Sequence, residues 1–260
     1  MTTLNPAAPS LFRKVFEPLV LAVLLAFLWE LLARLRHWDP AYVPPPSKVV
    51  LAVWEFHGQF MLDAIFTFAW ILGGFFATLF AALFTAIVVH TLPQWMARPV
   101  YSLLVMLQSV PVFAIIPALA FWTGIGAMSR ITIIALVAFF PVLVNTVEGL
   151  RQIDPNLVDL FDSMNATRWQ KLLKLELPSA LAMVLAGAKI TLTMCAIGVV
   201  VAEMAMGERK GLGYRPKEAL QHFRMDEAFA AVLLLALIVN ALYQGLHVLF
   251  AKLYPSRTSL

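Results

Sequence analysis

The chain has 260 residues, of which 61% are hydrophobic and 13% are charged, and its mean hydropathy is +0.83. A soluble protein of this length cannot bury that much apolar surface, so the composition indicates an integral membrane protein and excludes an ordinary soluble enzyme. The net charge of +4 fits basic side chains near lipid headgroups better than it fits a nucleic-acid partner. The single cysteine, Cys195, lies in an apolar run, which excludes an intrachain disulfide and indicates a packing role.

Six apolar stretches are long enough to cross a bilayer, which predicts an all-α, polytopic membrane protein. Residues 1–14 are polar and are expected to form a disordered tail, and residues 15–260 are expected to form one transmembrane domain. The first stretch has no small-x-small cleavage site and is interpreted as an uncleaved anchor. The predicted spans are Phe16–Leu35, Ile65–Val89, Val100–Phe121, Ile131–Val147, Ser179–Ala202 and Ala228–Leu253.

Two local patterns accompany the first two spans. After span 1, Pro44–Pro46 must be extended, and Ser47 is predicted to cap a short interfacial helix that runs to Phe56. In span 2, small residues recur every four positions and would lie on one helix face, which predicts close packing of that face against another helix. These small residues are Gly73, Ala77, Ala81 and Thr85.

Spans 3 and 4 carry polar side chains and prolines at mid-depth. Gln108, Ser109 and Pro111 lie in span 3, and Asn145 lies in span 4. A proline leaves a backbone carbonyl without its partner, which a membrane tolerates only where that carbonyl is buried in protein or lines water. These four residues are therefore candidates for contact with a solute, and hydrogen bonding between helices explains the three polar ones equally well.

Span 5 contains two charged residues. Lys189 lies well inside the span, where insertion of a charge costs about 2.5–3.5 kcal/mol, so it should face protein or water. We expect it to pair with a carbonyl or carboxylate near the loop that precedes the span. Glu203, at the other end of span 5, is expected to have a structural role.

The polar run Asp154–Pro178 separates spans 4 and 5 and predicts two short helices joined by a corner. Asp154 can cap the first helix, and Pro155 suits its first position because no N–H is needed there. The apolar residues of this helix recur at helical spacing and form one stripe. The stripe consists of Leu157, Leu160, Phe161 and Met164.

The corner and the second helix of this run have their own signals. Asn165 tolerates the left-handed conformation that ends many helices. Thr167 and Gln170 fit a capping box that opens the second helix, which is expected to run through Trp169–Lys174 and to end at Pro178. Such a helix pair is suited to binding in the groove of another protein, while an amphipathic helix lying on lipid is the alternative.

Several short motifs follow one another in a set order along the chain. They are PPPS (Pro44–Ser47), QSVP (Gln108–Pro111), WTGIG (Trp122–Gly126), the helical run Asp154–Pro178 and GLGY (Gly211–Tyr214). Their order and spacing resemble the permease subunits of binding-protein-dependent ABC importers, in the group that transports nitrate, sulfonates and taurine. In that family the run between the helices is the cytoplasmic EAA loop.

The chain departs from the usual family pattern at three places. Asp159-Leu160-Phe161 stands where Glu-Ala-Ala is usual, and Asn165 stands where a Gly is usual. Arg215-Pro216 follows the GLGY motif, where an apolar pair is usual. The resemblance implies the type I ABC importer permease fold, with a coupling loop at residues 148–178.

The resemblance also implies partners and site residues. A separate ATP-binding ABC subunit, an external solute-binding protein and a second, identical permease subunit are expected, together with membrane lipid and without nucleic acid. The residues implied to contact the ATPase are Asp159, Leu160, Phe161, Met164, Asn165, Ala166 and Trp169. The residues implied for the translocation pathway are Gln108, Ser109, Pro111 and Asn145.

The sequence lacks the signatures of catalysis. There is no GxxxxGK[ST] loop for ATP phosphates, and the five histidines are scattered rather than placed at metal-ligand spacing. No cofactor and no metal site are expected, and the chain is not expected to be an enzyme. ATP hydrolysis is assigned to a separate subunit.

Charge does not determine the orientation in the membrane. The loops on the two sides carry equal numbers of Lys and Arg, so the positive-inside rule does not decide. The resemblance places both termini and the coupling loop in the cytoplasm of a cell whose inner membrane holds the protein.

The substrate is the least determined property. Residues 145–203 resemble permeases for pyrimidine precursors of thiamine and for riboflavin, so a vitamin or vitamin precursor is the first hypothesis. A sulfonate, taurine or nitrate permease is the alternative. A self-sufficient secondary carrier or channel is a further alternative of another class, and an intramembrane enzyme lacks any catalytic constellation.

Overall fold

The computed structural model describes residues 11–207 and 209–253, and for residues 11–16, 18, 19 and 253 it describes the backbone alone. Regular structure in the described ranges is entirely helical. The helices are α1 (Leu11–Leu35), α2 (Pro46–Glu55), α3 (His57–Thr91), α4 (Gln94–Leu107), α5 (Val112–Thr123), α6 (Ala127–Arg151), α7 (Pro155–Ser163), α8 (Arg168–Lys171), a π-helical turn (Leu172–Glu176), α9 (Leu177–Met206), α10 (Arg215–Gln221) and α11 (Met225–Leu253).

Four helices of the described ranges are long and apolar enough to cross a membrane. They are α3, α6, the continuous helix Arg168–Met206 that contains α8, the π turn and α9, and α11. The pair α4 and α5 meets the same criterion only if the two helices, which are bent by 94°, are counted as one span, so the described residues contain four or five candidate crossings rather than the six predicted. The predicted all-α, polytopic membrane fold is therefore confirmed.

Helix α1 covers the predicted first span and starts earlier than expected. Leu11–Lys14, assigned to a disordered tail, are helical. Arg13 and Lys14 are compatible with a helix, so a charged run before an apolar one does not mark the helix start. Residues 1–10 of the predicted tail lie outside the described residues.

The core of the molecule is the packing of α6 against α9 and α3. Ile134, Ala138 and Val142 are spaced by four residues along α6 and are fully buried. They belong to one apolar cluster with Leu192 and Cys195 of α9. Cys195 thus lies in the packed interior, as the sequence predicts.

The predicted packing face of α3 is wrong by one position. Gly73, Ala77 and Ala81 are exposed, and a Cβ built on Gly73 has no neighbour within 4 Å. Instead, Gly74, Thr78, Ala82 and Ala86 are buried, and a Cβ on Gly74 would come within 2.7 Å of Cγ2 of Ile134. Adjacent glycines start two small-residue series, and the sequence alone does not say which one faces α6.

Span 3 was predicted as one helix, Val100–Phe121, and this is wrong. The chain forms α4 and α5 with the four residues Gln108–Pro111 between them. Before Pro111 the backbone tightens to i→i−3 bonds, such as Val110 N–H to Leu107 O at 3.2 Å. Pro111 has no N–H to continue the ladder and disfavours helical geometry at Val110, so the helix breaks.

Ser47 does not cap α2, contrary to prediction. The cap position is Pro45, and Ser47 lies inside the first turn of the helix. Its backbone N–H and its hydroxyl both donate to the carboxylate of Glu30 on α1, at 3.0 and 2.9 Å. A carboxylate from a distant part of the sequence therefore satisfies this helix start, and it joins α2 to α1.

Candidate coupling loop and polar sites

The first helix of the predicted loop, α7, begins as the sequence indicates. The side chain of Asp154 accepts a hydrogen bond from the backbone N–H of Asn156 at 2.9 Å, and Pro155 holds the first helical position. The cap satisfies one of the free N–H groups of the first turn. The start of α7 is therefore determined locally.

The corner after α7 is a left-handed C-cap of the Schellman type. Asn165 has φ = 51°, its N–H donates to Asp162 O at 2.9 Å, and the N–H of Ala166 donates to Phe161 O at 3.0 Å. These bonds occupy the last carbonyls of α7. The predicted conformation of Asn165 is confirmed, and the bonds set the angle at which the chain leaves α7.

The predicted capping box opens α8. The N–H of Thr167 donates to Gln170 Oε1 at 2.8 Å, and the N–H of Gln170 donates to Thr167 Oγ1 at 3.3 Å. An ion pair between Lys171 and Asp162 crosses the corner and joins α8 to α7. Caps, corner and ion pair together give the loop a defined shape.

The apolar stripe of α7 is largely uncovered. Leu160 is 52% exposed, Met164 is 69% exposed, and Trp169 of α8 is 67% exposed. Asp159 is also exposed, whereas Phe161 and Ala166 are half-buried. A rigid loop that presents large apolar side chains outward is suited to binding another protein.

The second helix of the loop does not end at Pro178, contrary to prediction. It continues through the π turn Leu172–Glu176 into α9, which makes one helix of 39 residues. Pro178 occupies one of the first two positions of α9, where the change from π to α geometry tolerates a residue without an N–H. The loop is thereby joined directly to a membrane span.

A second connection joins the loop to α3. Nε2 of His90, at the end of α3, lies 2.9 Å from Oε2 of Glu176 in the π turn. Both side chains are largely shielded from solvent. A movement of the loop can therefore reach α3 as well as α9.

The predicted pathway residues are not brought together. Gln108, Ser109 and Pro111 are exposed at the bend between α4 and α5. Asn145 donates from Nδ2 to the carbonyl of Pro141 in its own helix at 2.7 Å. A Cβ on Gly187 of α9 would come within 2.9 Å of the Cβ of Asn145, so Asn145 lies where α6 packs closely on α9.

Lys189 pairs with a different partner from the one expected. Its Nζ lies 3.0 Å from Nδ1 of His247 on α11. Neither a backbone carbonyl nor a carboxylate contacts the ammonium among the described residues. The sequence did not reveal this pair because 58 residues separate its members.

The described residues also contain a buried polar cluster, of which the sequence pattern indicated only Glu203. Glu203 is 1% exposed and accepts hydrogen bonds from Thr67 Oγ1 at 2.9 Å and from the N–H of Gly213 at 2.7 Å. Asp63 accepts from the N–H of Gly211 at 2.9 Å and from Nε of Arg215 at 2.6 Å. The cluster ties the GLGY segment to α3.

A signal for this cluster was present in the sequence. Asp63 and Thr67 are four residues apart, so they share one face of a helix, and an acidic and a hydroxyl group there require partners. Arg215, noted as a departure from the family pattern, is the partner of Asp63. The structural role expected for Glu203 agrees with these contacts.

Arg130 stands one residue before predicted span 4 and would therefore lie in a loop, but the structure shows it helical and buried. It lies in the first turn of α6, is 1% exposed, and its guanidinium stacks 4.8 Å from the ring of Phe66 and 4.4 Å from the ring of Trp70. Aromatic faces stabilise a buried cation. Among the described residues, no group of His, Cys, Asp and Glu side chains could hold a metal ion.

The fold and the loop define a class of protein: a multi-pass, all-helical membrane subunit with a rigid helical loop between two spans. Residues 78–255 match the family described as binding-protein-dependent transport system inner membrane component. The chain belongs to this family, whose members have the type I ABC permease fold.

Named relatives match over most of the chain. The formylaminopyrimidine transport permease protein ThiX of Halalkalibacterium halodurans is 31% identical, covering 86% of this chain and 89% of its own. The riboflavin transport system permease protein RibX of Chloroflexus aurantiacus is 32% identical, covering 94% and 92%. The taurine transport system permease protein TauC of Escherichia coli is 31% identical, covering 90% and 87%.

The chain is thus a permease subunit of an ABC importer for a small solute. Importer permeases of this family work with an ATPase and a solute-binding protein. The relatives are transport subunits rather than enzymes. A self-sufficient carrier or channel and an intramembrane enzyme are therefore set aside.

Proposed function

We propose that this permease imports a vitamin or vitamin precursor across the inner membrane and that α7 and α8 dock in a groove of the ATPase subunit. Both termini and the loop 148–178 are cytoplasmic in this proposal. Two identical chains form the pathway, two ATPase subunits bind at the loops, and the solute-binding protein delivers solute on the opposite side.

The exposure of Leu160 and Met164 on a loop held rigid at both ends carries the docking proposal. Apolar side chains at the centre of an interface contribute most of its binding energy. Asn165 and Ala166 supply the corner that orients α7 against α8. Asp159, Phe161 and Trp169 complete the contact surface.

Coupling then follows from the connections of the loop. ATP-driven closure of the ATPase subunits pulls on α7 and α8, and α8 is continuous with α9. The contact between His90 and Glu176 carries the same movement to α3. Rigid-body rotation of these helices alternates the pathway between inward-open and outward-open states.

The residues at the bend between α4 and α5 favour an uncharged heteroaromatic compound as the solute. The amide of Gln108 and the hydroxyl of Ser109 can hydrogen-bond to the edge of a ring, and the exposed ring of Phe113 can stack on its face. Residues 108–123 carry no charge, whereas a sulfonate favours a basic partner. Relatives named for formylaminopyrimidine and riboflavin are consistent with this solute class.

A sulfonate or taurine is the second candidate. The taurine permease matches 90% of this chain. Lys189, half-buried in α9, is the cation that an anionic solute would need. In this alternative the contact between Lys189 and His247 lies on the solute path.

The docking proposal is tested by purifying the C-terminally tagged chain from native membranes in mild detergent and quantifying the ATPase that co-purifies. The wild type should retain stoichiometric ATPase. Leu160→Glu should lower the affinity at least ten-fold because it places a charge in an apolar contact. Asn156→Glu, an exposed change on the same helix, is the matched control, and equal retention by both variants would refute docking through α7.

The substrate proposal is tested by uptake of labelled formylaminopyrimidine, riboflavin and taurine in cells that express the complete importer. A ring solute should be taken up, with its KM raised by Gln108→Ala. Uptake of taurine alone, abolished by Lys189→Met, would establish the second candidate instead.

A further inference from the structure

A cavity of about 730 Å³ lies between the end of α3, the α3–α4 connection and the start of the helix Arg168–Met206. Phe84, Ile87 and Val88 form its apolar side. Arg168 and Trp169 belong to its polar side, with Lys171, His90 and Glu176. Its volume is in the range of small-molecule sites in proteins. The proposed solute pathway does not use it, and of its lining residues only Trp169 belongs to the proposed ATPase contact surface.

The apolar side of the cavity continues along the surface of α3. Phe76, Phe80 and Phe84 are spaced by four residues and lie on one face of the helix, with Val88 next in the series. These side chains are exposed in the described chain, Phe84 by 71%. Helix α3 crosses the membrane, so an uncovered apolar row of this kind offers an acyl chain a continuous path into the cavity.

The polar side of the cavity carries a cation available to a ligand. Lys171 pairs with Asp162, and His90 contacts Glu176. The guanidinium of Arg168 has no hydrogen-bond or ion-pair partner among the residues that the structure describes. Trp169, beside it, is the aromatic type enriched where membrane and water meet.

We propose that this cavity binds an anionic phospholipid of the leaflet that adjoins the loop, with the phosphate on Arg168 and an acyl chain along Phe84 and Val88. A guanidinium matches phosphate oxygens in geometry and charge. Bound lipid then fills the space between α3 and α8, next to the contact of His90 with Glu176 that joins α3 to the π turn. The site is a property of the permease chain and does not depend on the substrate or the ATPase.

The test is made on the full-length permease, without its partners, in nanodiscs of phosphatidylcholine with one quarter phosphatidylglycerol. The protein is extracted in mild detergent, and the retained lipids are quantified by mass spectrometry. The ratio of phosphatidylglycerol to phosphatidylcholine among the retained lipids should be about five-fold higher than in the nanodisc, the change that about 1 kcal/mol per basic side chain corresponds to. Arg168→Gln should remove the enrichment.

Lys174→Gln is the matched control, because Lys174 is exposed on the same helix and does not line the cavity. It should retain the enrichment. Phe84→Ser should reduce lipid retention, whereas inorganic phosphate and glycerol phosphate should not displace the lipid at millimolar concentration.

Three results would overturn the proposal. The first is equal enrichment in the wild type and Arg168→Gln. The second is displacement by soluble phosphate with no effect of Phe84→Ser, which would make the ligand a free phosphate compound. The third is unchanged lipid retention in Arg168→Gln together with loss of the ATPase in the separate co-purification experiment, which would assign Arg168 to docking.

Discussion

Gly73 and Gly74 are neighbours in α3, yet a side chain would meet open space at the first and the buried Ile134 at the second. Both residues have the same helix propensity, and both begin a series of small residues. The difference between them is the contact with α6 alone. Substitutions at these two glycines therefore separate the effect of packing from the effect of helix propensity.

Gly74→Ala should destabilise the chain by about 1–3 kcal/mol, because the added methyl group overlaps a buried β-branched side chain. Gly73→Ala should be neutral or stabilise by up to about 1 kcal/mol through helix propensity. Thermal unfolding of the purified chain in detergent measures both. Equal effects of the two substitutions would show that α3 and α6 do not pack in the observed register.

The buried carboxylate of Glu203 restricts which residue can stand at position 213. Its carboxylate accepts hydrogen bonds from α3 and from the GLGY segment, and a Cβ on Gly213 would lie 2.7 Å from its Oε2. The glycine at this position is required by the close approach of the carboxylate. The GLGY motif, which was identified by family resemblance, thus needs its second glycine for packing against Glu203.

At the scale of elements, the loop of α7 and α8 is built from local signals that agree with one another. Asp154, the Schellman bonds at Asn165 and the capping box at Thr167 are each satisfied within a few residues. Where the family usually has Gly, this chain has Asn165 with φ = 51°. Both residues meet the same backbone requirement, so the departure from the family pattern preserves the corner.

Asn165→Gly should leave the corner intact, whereas Asn165→Val should cost about 1–2 kcal/mol because a β-branched residue is strained in the left-handed region. Limited proteolysis of the loop should be faster only for the Val variant. Binding of the ATPase should weaken in parallel, since α7 and α8 no longer keep their angle. Equal proteolysis of both variants would show that the corner does not depend on this conformation.

At the scale of the whole molecule, the loop is connected to two membrane helices by different means. The backbone joins it to α9 through the π turn, and the side chains of His90 and Glu176 join it to α3. Helices α3 and α9 both pack on α6 and on each other, so each of these three helices contacts the other two. A force applied at α7 is thereby shared among the three helices of the core.

Glu176→Gln should lower the amount of solute transported per ATP hydrolysed several-fold while the ATPase remains bound, because the side-chain connection to α3 is weakened and α7 is unchanged. The double variant His90→Gln, Glu176→Gln should be no worse than either single variant, as expected for two members of one interaction. Transport and hydrolysis are measured together in proteoliposomes that contain the complete importer. Glu55→Gln, an exposed change on α2, is the control, and additive effects of the two substitutions would refute a direct coupling between them.

Local patterns in the sequence were sufficient for the membrane class, most helix positions and the caps of the loop, because each depends on residues that are close in the chain. The same reasoning failed where a distant partner decides. Glu30 of α1 satisfies the first turn of α2, the partner of Lys189 is His247, and the buried face of α3 is selected by α6. The sequence did not distinguish Pro111, where the helix breaks, from Pro99 and Pro141, which remain inside helices.

Hydropathy by itself determined that this chain is an all-α membrane protein, since twenty-residue apolar runs are a property of the linear sequence. The ordered loop motifs identified the ABC importer permeases by resemblance to that family. Only the tertiary structure decided which polar groups meet: Asp63 with Arg215, Thr67 with Glu203, and His90 with Glu176. These pairs lie 152, 136 and 86 residues apart. Polar groups buried among membrane helices need partners, and the packing of the helices determines which partner is within reach.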